Sequence, residues 1–236
     1  MNLSVVTFKW RKNVTGYRLK NQVSYGAEHV NILFESIKRN TNVRFTPICV
    51  TDDATGIDKS ITTIPLWNTY THLGGCYNRL FLFSKEARKL FGEKLICIDL
   101  DTVITGNIDH ILSREEDFVI NEFRPVGQKY QKYNGGLLSL VTGSRTEVWE
   151  KFNEKTSIKI LDDLRNNQGY LGSDQAWIQY VLGNNESLFT NQNGVYDFNQ
   201  FYHDLPKDAG IVLFPGRTDP LIEKEHVTWV KNLWKR

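Results

Sequence analysis

Cysteine is scarce in this chain: Cys49, Cys76 and Cys97 are the whole complement. Three widely spaced thiols make neither a disulfide framework nor a metal cluster of the Cys-x-x-Cys kind. Cys49 and Cys97 lie inside apolar, strand-like runs, which predicts buried free thiols and suits a reducing compartment. Net charge is scarce too. Lys and Arg number 29 against 27 Asp and Glu, leaving +2, far from the basic footprint of a nucleic-acid binder. No apolar run approaches the ~18 residues of a membrane helix. No internal repeat and no interdomain linker is visible. The chain opens directly in a strand pattern, Met1-Asn-Leu-Ser-Val-Val, without the basic-then-apolar order of an export signal. The expectation is a soluble, cytoplasmic protein with neither a nucleic-acid partner nor a transmembrane segment.

What is present is an alternation of short apolar runs and helical stripes. Leu3 to Phe8, Phe45 to Val50, Ile61 to Leu66 and Leu95 to Asp99 read as strands. Val30, Leu33, Phe34 and Ile37 give a helical stripe over about 27–38, and Leu80, Phe83, Ala87 and Leu90 a second one. Strand-helix alternation predicts an α/β fold with a mostly parallel central sheet flanked by helices. After residue 101 the pattern is mixed. Strands are expected at 117–120, 136–141, 195–198 and 211–214, and helices at 147–152, 174–182 and 225–235. Lys9–Ser24 and the polar stretch Ile160–Gly172 read as loops, candidate lids over a ligand. At 236 residues the whole chain, 1–236, fits one domain with halves 1–101 and 102–236.

The strand ending at Asp99 carries the strongest chemical signal. Asp99 and Asp101 are two residues apart, a spacing that points both side chains to one face of a strand. Open α/β sheets bind ligands at the carboxyl ends of their strands. Two converging carboxylates repel each other, and a hard cation such as Mg²⁺ or Mn²⁺, shared with a phosphate, relieves that repulsion. The plainer alternative is a pair of exposed turn aspartates.

Further motifs follow in order: Thr51-Asp52-Asp53, Tyr77-Asn78-Arg79-Leu80, Ile98-Asp99-Leu100-Asp101-Thr102-Val103, Tyr133-Asn134-Gly135-Gly136, Ser173-Asp174-Gln175-Ala176 and Phe214-Pro215-Gly216-Arg217. Together they resemble the GT-A fold of DxD-type glycosyltransferases related to glycosyltransferase family eight. The resemblance spans nearly the whole chain. It implies a Rossmann-like GT-A domain whose residues 1–101 hold a nucleotide and whose residues 102–236 hold sugar and acceptor. It also implies a sugar donor that is a nucleotide-diphospho-sugar, a UDP-sugar above all, a Mn²⁺ or Mg²⁺ ion on Asp99 and Asp101, and a glycan or glycoconjugate acceptor. Thr7, Phe8 and Asp52 would flank the base and ribose. Arg79, Leu100, Gly216 and Arg217 would lie along the diphosphate. Asn134 and Gly135 would meet the sugar, where glycine lets a backbone approach closely. Asp174 and Gln175 would face sugar and acceptor. An inverting reaction needs a carboxylate base, for which Asp174 and Glu122 are the candidates. Family-eight relatives retain configuration and need none.

Two features depart from the pattern. The family's C-terminal segment commonly carries a metal-binding His, and Leu213-Phe214-Pro215-Gly216 has none; its usual Lys before Pro is Asp219 here. The third protein ligand is therefore open. Two rival readings stand. Asp99-Leu100-Asp101-Thr102 also fits the nucleophile motif of haloacid-dehalogenase-like phosphatases, although that motif normally sits on a first strand. The other rival is a non-catalytic nucleotide-sugar-binding module. Trp229, Trp234 and the Lys235-Arg236 end offer either a peripheral membrane contact or a packed terminal helix.

Overall fold

The computed structural model describes residues 2–10, 25–124, 130–216 and 218–236. In chain order the elements are β1 (Leu3–Lys9), α1 (Ala27–Arg39), β2 (Thr46–Thr51), β3 (Thr62–Pro65), a 3-10 helix (Tyr77–Phe83), α2 (Ala87–Phe91), β4 (Lys94–Ile98), β5 (Thr102–Ile104), α3 (Asp109–Leu112), β6 (Phe118–Glu122) and β7 (Tyr133–Val141). There follow α4 (Glu147–Glu150), α5 (Glu154–Gln168), α6 (Asp174–Leu182), β8 (Ser187–Phe189), β9 (Val195–Asp197), β10 (Ile211–Leu213), α7 (Pro220–Glu223) and α8 (Thr228–Leu233).

A seven-stranded sheet in the order β3-β2-β1-β4-β7-β6-β8 forms the centre. From β3 through β4 all neighbours are parallel; β7 then runs antiparallel to both β4 and β6. This is the α/β, Rossmann-like arrangement expected, with the reversed strand accounting for its mixed character. Both faces are covered, which is why these strands read as nearly continuous apolar runs. Along β4, Leu95 and Cys97 enter one core while Ile96 and Ile98 enter the other. Burial of such side chains contributes about 1.5–3 kcal/mol each. Cys49 and Cys97 are buried and free.

A second, three-stranded sheet, β5-β10-β9, grows from the chain directly after β4. Its strands are three residues each. The sequence reading foresaw β9 and β10 but missed β5, because three residues are too few for a period-two pattern.

Two expectations need correction. The 160–172 stretch is not a loop through its first part: α5 runs to Gln168. The Asn153 side chain accepts hydrogen bonds from the Lys155 and Thr156 N–H groups, capping the helix. Ile158, Leu161 and Leu164 recur at helical spacing on the core side. Gly169, at φ 68°, ends the helix in the left-handed conformation. The stripe Leu80, Phe83, Ala87, Leu90 is also broken. Ser84 is extended and resets the helical phase, so Phe91 is buried and Leu90 is 41% exposed. Of the loop expected at Lys9–Ser24, residues 11–24 lie outside the described residues.

Candidate active site

The carboxyl ends of β1, β2 and β4 lie at one edge of the central sheet. Lys9 pairs with Thr51 in register, and β4 runs alongside β1. The amino end of β7 and the carboxyl end of β6 reach the same edge, with Asn121 opposite Asn134 and Glu122 opposite Tyr133.

Asp99 and Asp101 follow β4 there. The Asp99 N–H donates to the Gly136 carbonyl at 2.9 Å, which keeps the chain extended one residue past the strand. Leu100 is 2% exposed and buried in the same core as Ile96 and Ile98. The alternation therefore continues, and the two aspartates fall on the other face. Leu100 offers the site its backbone alone. Burial, and then the Asp99 charge, push the Asp101 carboxyl up to about 7. The Tyr25 hydroxyl donates to Asp101 Oδ2 at 2.9 Å.

Arg79 is the hub of the site. The 3-10 helix holds it 5% exposed. Its Nη1 pairs with Asp99 and donates to the Gly135 carbonyl at 3.1 Å. Its Nε and Nη2 reach Asp174 Oδ2 at 2.8 and 2.7 Å. Burial opposes the guanidinium charge, but Asp174 and Asp99 outweigh it and hold Arg79 well above its ordinary range. Asp174, at the first turn of α6, is 2% exposed, so it presents no open face to an acceptor. Gln175 accepts from the Gly135 N–H at 3.1 Å through Oε1 and donates to the Leu171 carbonyl at 3.1 Å. The Ser173 hydroxyl accepts from the Cys76 N–H at 2.7 Å, tying α6 to the helix that carries Arg79.

The glycines are explained by this crowding. A Cβ on Gly135 would stand 2.9 Å from Arg79 Nη2 and 3.2 Å from Asp174 Oδ2. A Cβ on Gly136 would meet Asn134 Oδ1 at 3.0 Å and Leu213 at 3.4 Å. The Asn134 carboxamide oxygen accepts from the Gly136 N–H at 2.7 Å. β10 reaches the site through the Phe214 N–H, which donates to the Asp101 carbonyl at 2.9 Å. Gly216 follows in the left-handed region, φ 80°; Arg217 lies outside the described residues.

The other sequence candidates are dispersed along the edge. Thr7 is fully buried, and among the described residues its Oγ1 has no hydrogen-bond partner. Phe8 is 8% exposed and packs edge-on against Trp10 and Trp67, each at 5.7 Å. Asp52 is exposed at the end of β2. Glu122 lies two strands from β4, about 10 Å by strand spacing, and pairs with Arg124 at 3.0 Å. Sequence reasoning missed Tyr25 and Lys9. Lys9 Nζ donates to the Asp53 carbonyl at 2.6 Å and closes the β1–β2 edge. No separate motif marks either residue.

Among the described residues, no group of three or more His, Cys, Asp or Glu side chains is gathered for a metal. Asp99 and Asp101 fit a hard cation that takes one or two carboxylates and completes its shell with phosphate and water. The tryptophans of α8 and the residue after it turn inward. Trp234 is 3% exposed and meets His29 edge-on at 5.3 Å, while Trp229 packs on Phe198 and Phe201 and donates to the Tyr202 carbonyl at 2.8 Å. The terminal helix is thus packed against the protein through both tryptophans. No helix among the described residues is long and apolar enough to cross a membrane.

No protein-family model matches the chain, and no curated protein matches its sequence. Solved structures do match its fold. The galactosyltransferase LgtC, in complex with donor and acceptor sugar analogs, superimposes with a TM-score of 0.58 at 10% identity, over 98% of this chain and 96% of that one. An LgtC active-site variant with glutamate in place of a glutamine gives 0.55 at 11% identity, over 92% and 89%. The glycosyltransferase GlyE of Streptococcus pneumoniae gives 0.55 at 14% identity and covers 92% of this chain, which spans 56% of GlyE. At these identities the likeness is one of fold: the chain has the GT-A-like α/β arrangement of bacterial glycosyltransferases.

Proposed function

We propose that the protein is a metal-dependent glycosyltransferase that moves a sugar from a nucleotide-diphospho-sugar to a hydroxyl of a glycan or glycoconjugate. One observation carries this reading: two carboxylates on one face at the end of β4, flanked by a buried arginine and a glycine backbone. A UDP-sugar is the first donor to test.

Asp99 and Asp101 would hold Mn²⁺ or Mg²⁺, whose chemistry is to stabilise negative charge on the departing diphosphate. Arg79 holds the Asp99 carboxylate and the β7 backbone in one orientation. Asp174 holds Arg79, which makes its contribution one of orientation. Gln175 fixes the Gly135 N–H and lies half-buried beside it. A glutamine is an active-site residue of LgtC; by analogy Gln175 is the group proposed to meet sugar or acceptor. Asn134, Gly135 and Gly136 form the sugar floor. Phe8 and Asp52, at the ends of β1 and β2, are assigned to the nucleoside, with Thr7 buried behind them, and Gly216 with Arg217 to the diphosphate. Glu122, whose side chain is 40% exposed, is the base to test if the reaction inverts configuration.

A ligand that binds the native state raises its apparent stability. The test is a thermal-shift screen of nucleotide sugars with and without Mn²⁺, followed by product analysis. A Mn²⁺-dependent shift with one UDP-sugar is expected. No shift with any nucleotide sugar would overturn the reading. Hydrolysis of simple phosphate esters with a trapped aspartyl phosphate would favour the phosphatase, and binding without turnover the non-catalytic module.

A further inference from the structure

Behind Asp101 lies a line of buried polar groups that the proposed reaction does not use. Tyr25 precedes α1 and donates its hydroxyl to Asp101 Oδ2 at 2.9 Å. Its ring meets the His29 imidazole edge-on, with centroids 5.2 Å apart. His29 Nδ1 accepts from the Gly26 N–H at 3.2 Å, so its Nε2 carries the ring proton. That Nε2 stands 3.5 Å from Asp219 Oδ1, both side chains being almost fully buried. Asp219 Oδ1 also caps α7 by accepting from the Leu221 N–H at 2.7 Å, while Oδ2 has no hydrogen-bond partner among the described residues. Trp234 closes the other side of the imidazole. The order Asp101, Tyr25, His29, Asp219 thus runs from the end of β4, through the start of α1, to the C-terminal segment.

We propose that Tyr25 is a positioning residue for Asp101, occupying Oδ2 so that a cation is offered Oδ1, and that His29 and Asp219 make this contact depend on the C-terminal segment. The inference rests on the reading of Asp99 and Asp101 as cation ligands. Contact geometry and a general precedent support it. The Tyr25 hydroxyl lies 2.9 Å from Asp101 Oδ2, where a hydroxyl donates to a carboxylate. The tyrosine ring packs edge-on against His29, which is held by the Gly26 N–H and by the Trp234 ring and stands beside Asp219. Finally, groups that orient metal-binding carboxylates through their second oxygen are a recurrent device, and losing one typically weakens metal binding about 10–100-fold.

The experiment measures Mn²⁺ binding by calorimetry and by the Mn²⁺ electron paramagnetic resonance signal, without donor or turnover. Wild type, Asp101→Asn, Tyr25→Phe, Asp219→Asn and the double variant Tyr25→Phe/Asp219→Asn are compared. Tyr25→Phe keeps the ring against His29 and removes only the hydroxyl; Asn at position 219 keeps a helix cap and removes the charge. The expected result is a Kd about tenfold higher for Tyr25→Phe and about threefold higher for Asp219→Asn. The double variant should be no weaker than Tyr25→Phe alone, because both act through one contact. Wild-type affinity in Tyr25→Phe, with binding lost in Asp101→Asn, would overturn the positioning role and leave the metal reading intact. No difference between wild type and Asp101→Asn would overturn both. Additive losses in the double variant would overturn the link to the C-terminal segment.

Discussion

Asp99 and Asp101 differ by one intervening residue, yet their surroundings are opposite. On the Asp99 side, the 3-10 helix, β7 and α6 converge on a buried guanidinium shared with Asp174. On the Asp101 side, Tyr25 ahead of α1 supplies a neutral hydroxyl, backed by the His29 imidazole of α1. The protein already compensates one carboxylate, and leaves the other to be compensated. That asymmetry explains why burial and Asp99 raise Asp101 to about 7. It also makes Asp101 the oxygen donor with most to gain from a cation.

The comparison breaks most severely at Arg79. Arg79→Met leaves Asp174 buried without its partner and should cost roughly 3–5 kcal/mol, read from urea unfolding. Adding Asp174→Asn should restore part of that loss. A cost below about 1 kcal/mol would show that the Asp99 side is not held by charge.

Asp99→Asn and Asp101→Asn should each lower metal-dependent kcat on the order of 100- to 1000-fold while leaving the circular dichroism spectrum unchanged. Full activity in either would remove that residue from the metal assignment. Gly135→Ala forces a methyl into the 2.9 Å space beside Arg79 Nη2. It should destabilise by about 1–3 kcal/mol and reduce turnover, whereas Gly74→Ala, with nothing within 4 Å of its Cβ, should do neither.

The Asp101 side is sharpened by pH. The raised Asp101 pKa means that the folded protein holds this proton more tightly than the unfolded chain. Its contribution to stability is present below about pH 4 and is lost as the pH rises through about 7. Without metal, wild type should therefore gain stability over Asp101→Asn on acidification from about pH 7.5 to 5.5, by at most about 1.4 kcal/mol per pH unit. Mn²⁺ should reverse the trend, since it competes with the proton. A wild-type-minus-variant difference that does not change with pH would contradict the uncompensated carboxylate.

A smaller effect tests a region remote from both. Asn153→Ala removes the cap of α5 and should cost about 1 kcal/mol without altering Mn²⁺ affinity.

Much of this was legible in the sequence for local reasons. Apolar runs and helical spacing are local, so β1, β2, β4 and α6 were found nearly to the residue. The Asp99–Asp101 spacing, Asn134-Gly135-Gly136 and Ser173-Asp174-Gln175 are local motifs as well, and all of them lie at one sheet edge or in the network around Arg79. α5 is hard to read from sequence because its few core residues, Ile158, Leu161 and Leu164, sit among many polar ones.

What the chain by itself determined is the strand-helix order, the two-sided core and the presence of two carboxylates at a strand end. What only the tertiary structure decided is which groups face those carboxylates. Arg79 and Asp174 are 95 residues apart, and Tyr25 and Asp101 76 apart. Nothing periodic connects such positions. They meet because strand order places β4 beside β7, and because α1 and the C-terminal segment pack behind the same edge. Burial there turns ordinary side chains into one compensated and one uncompensated acid.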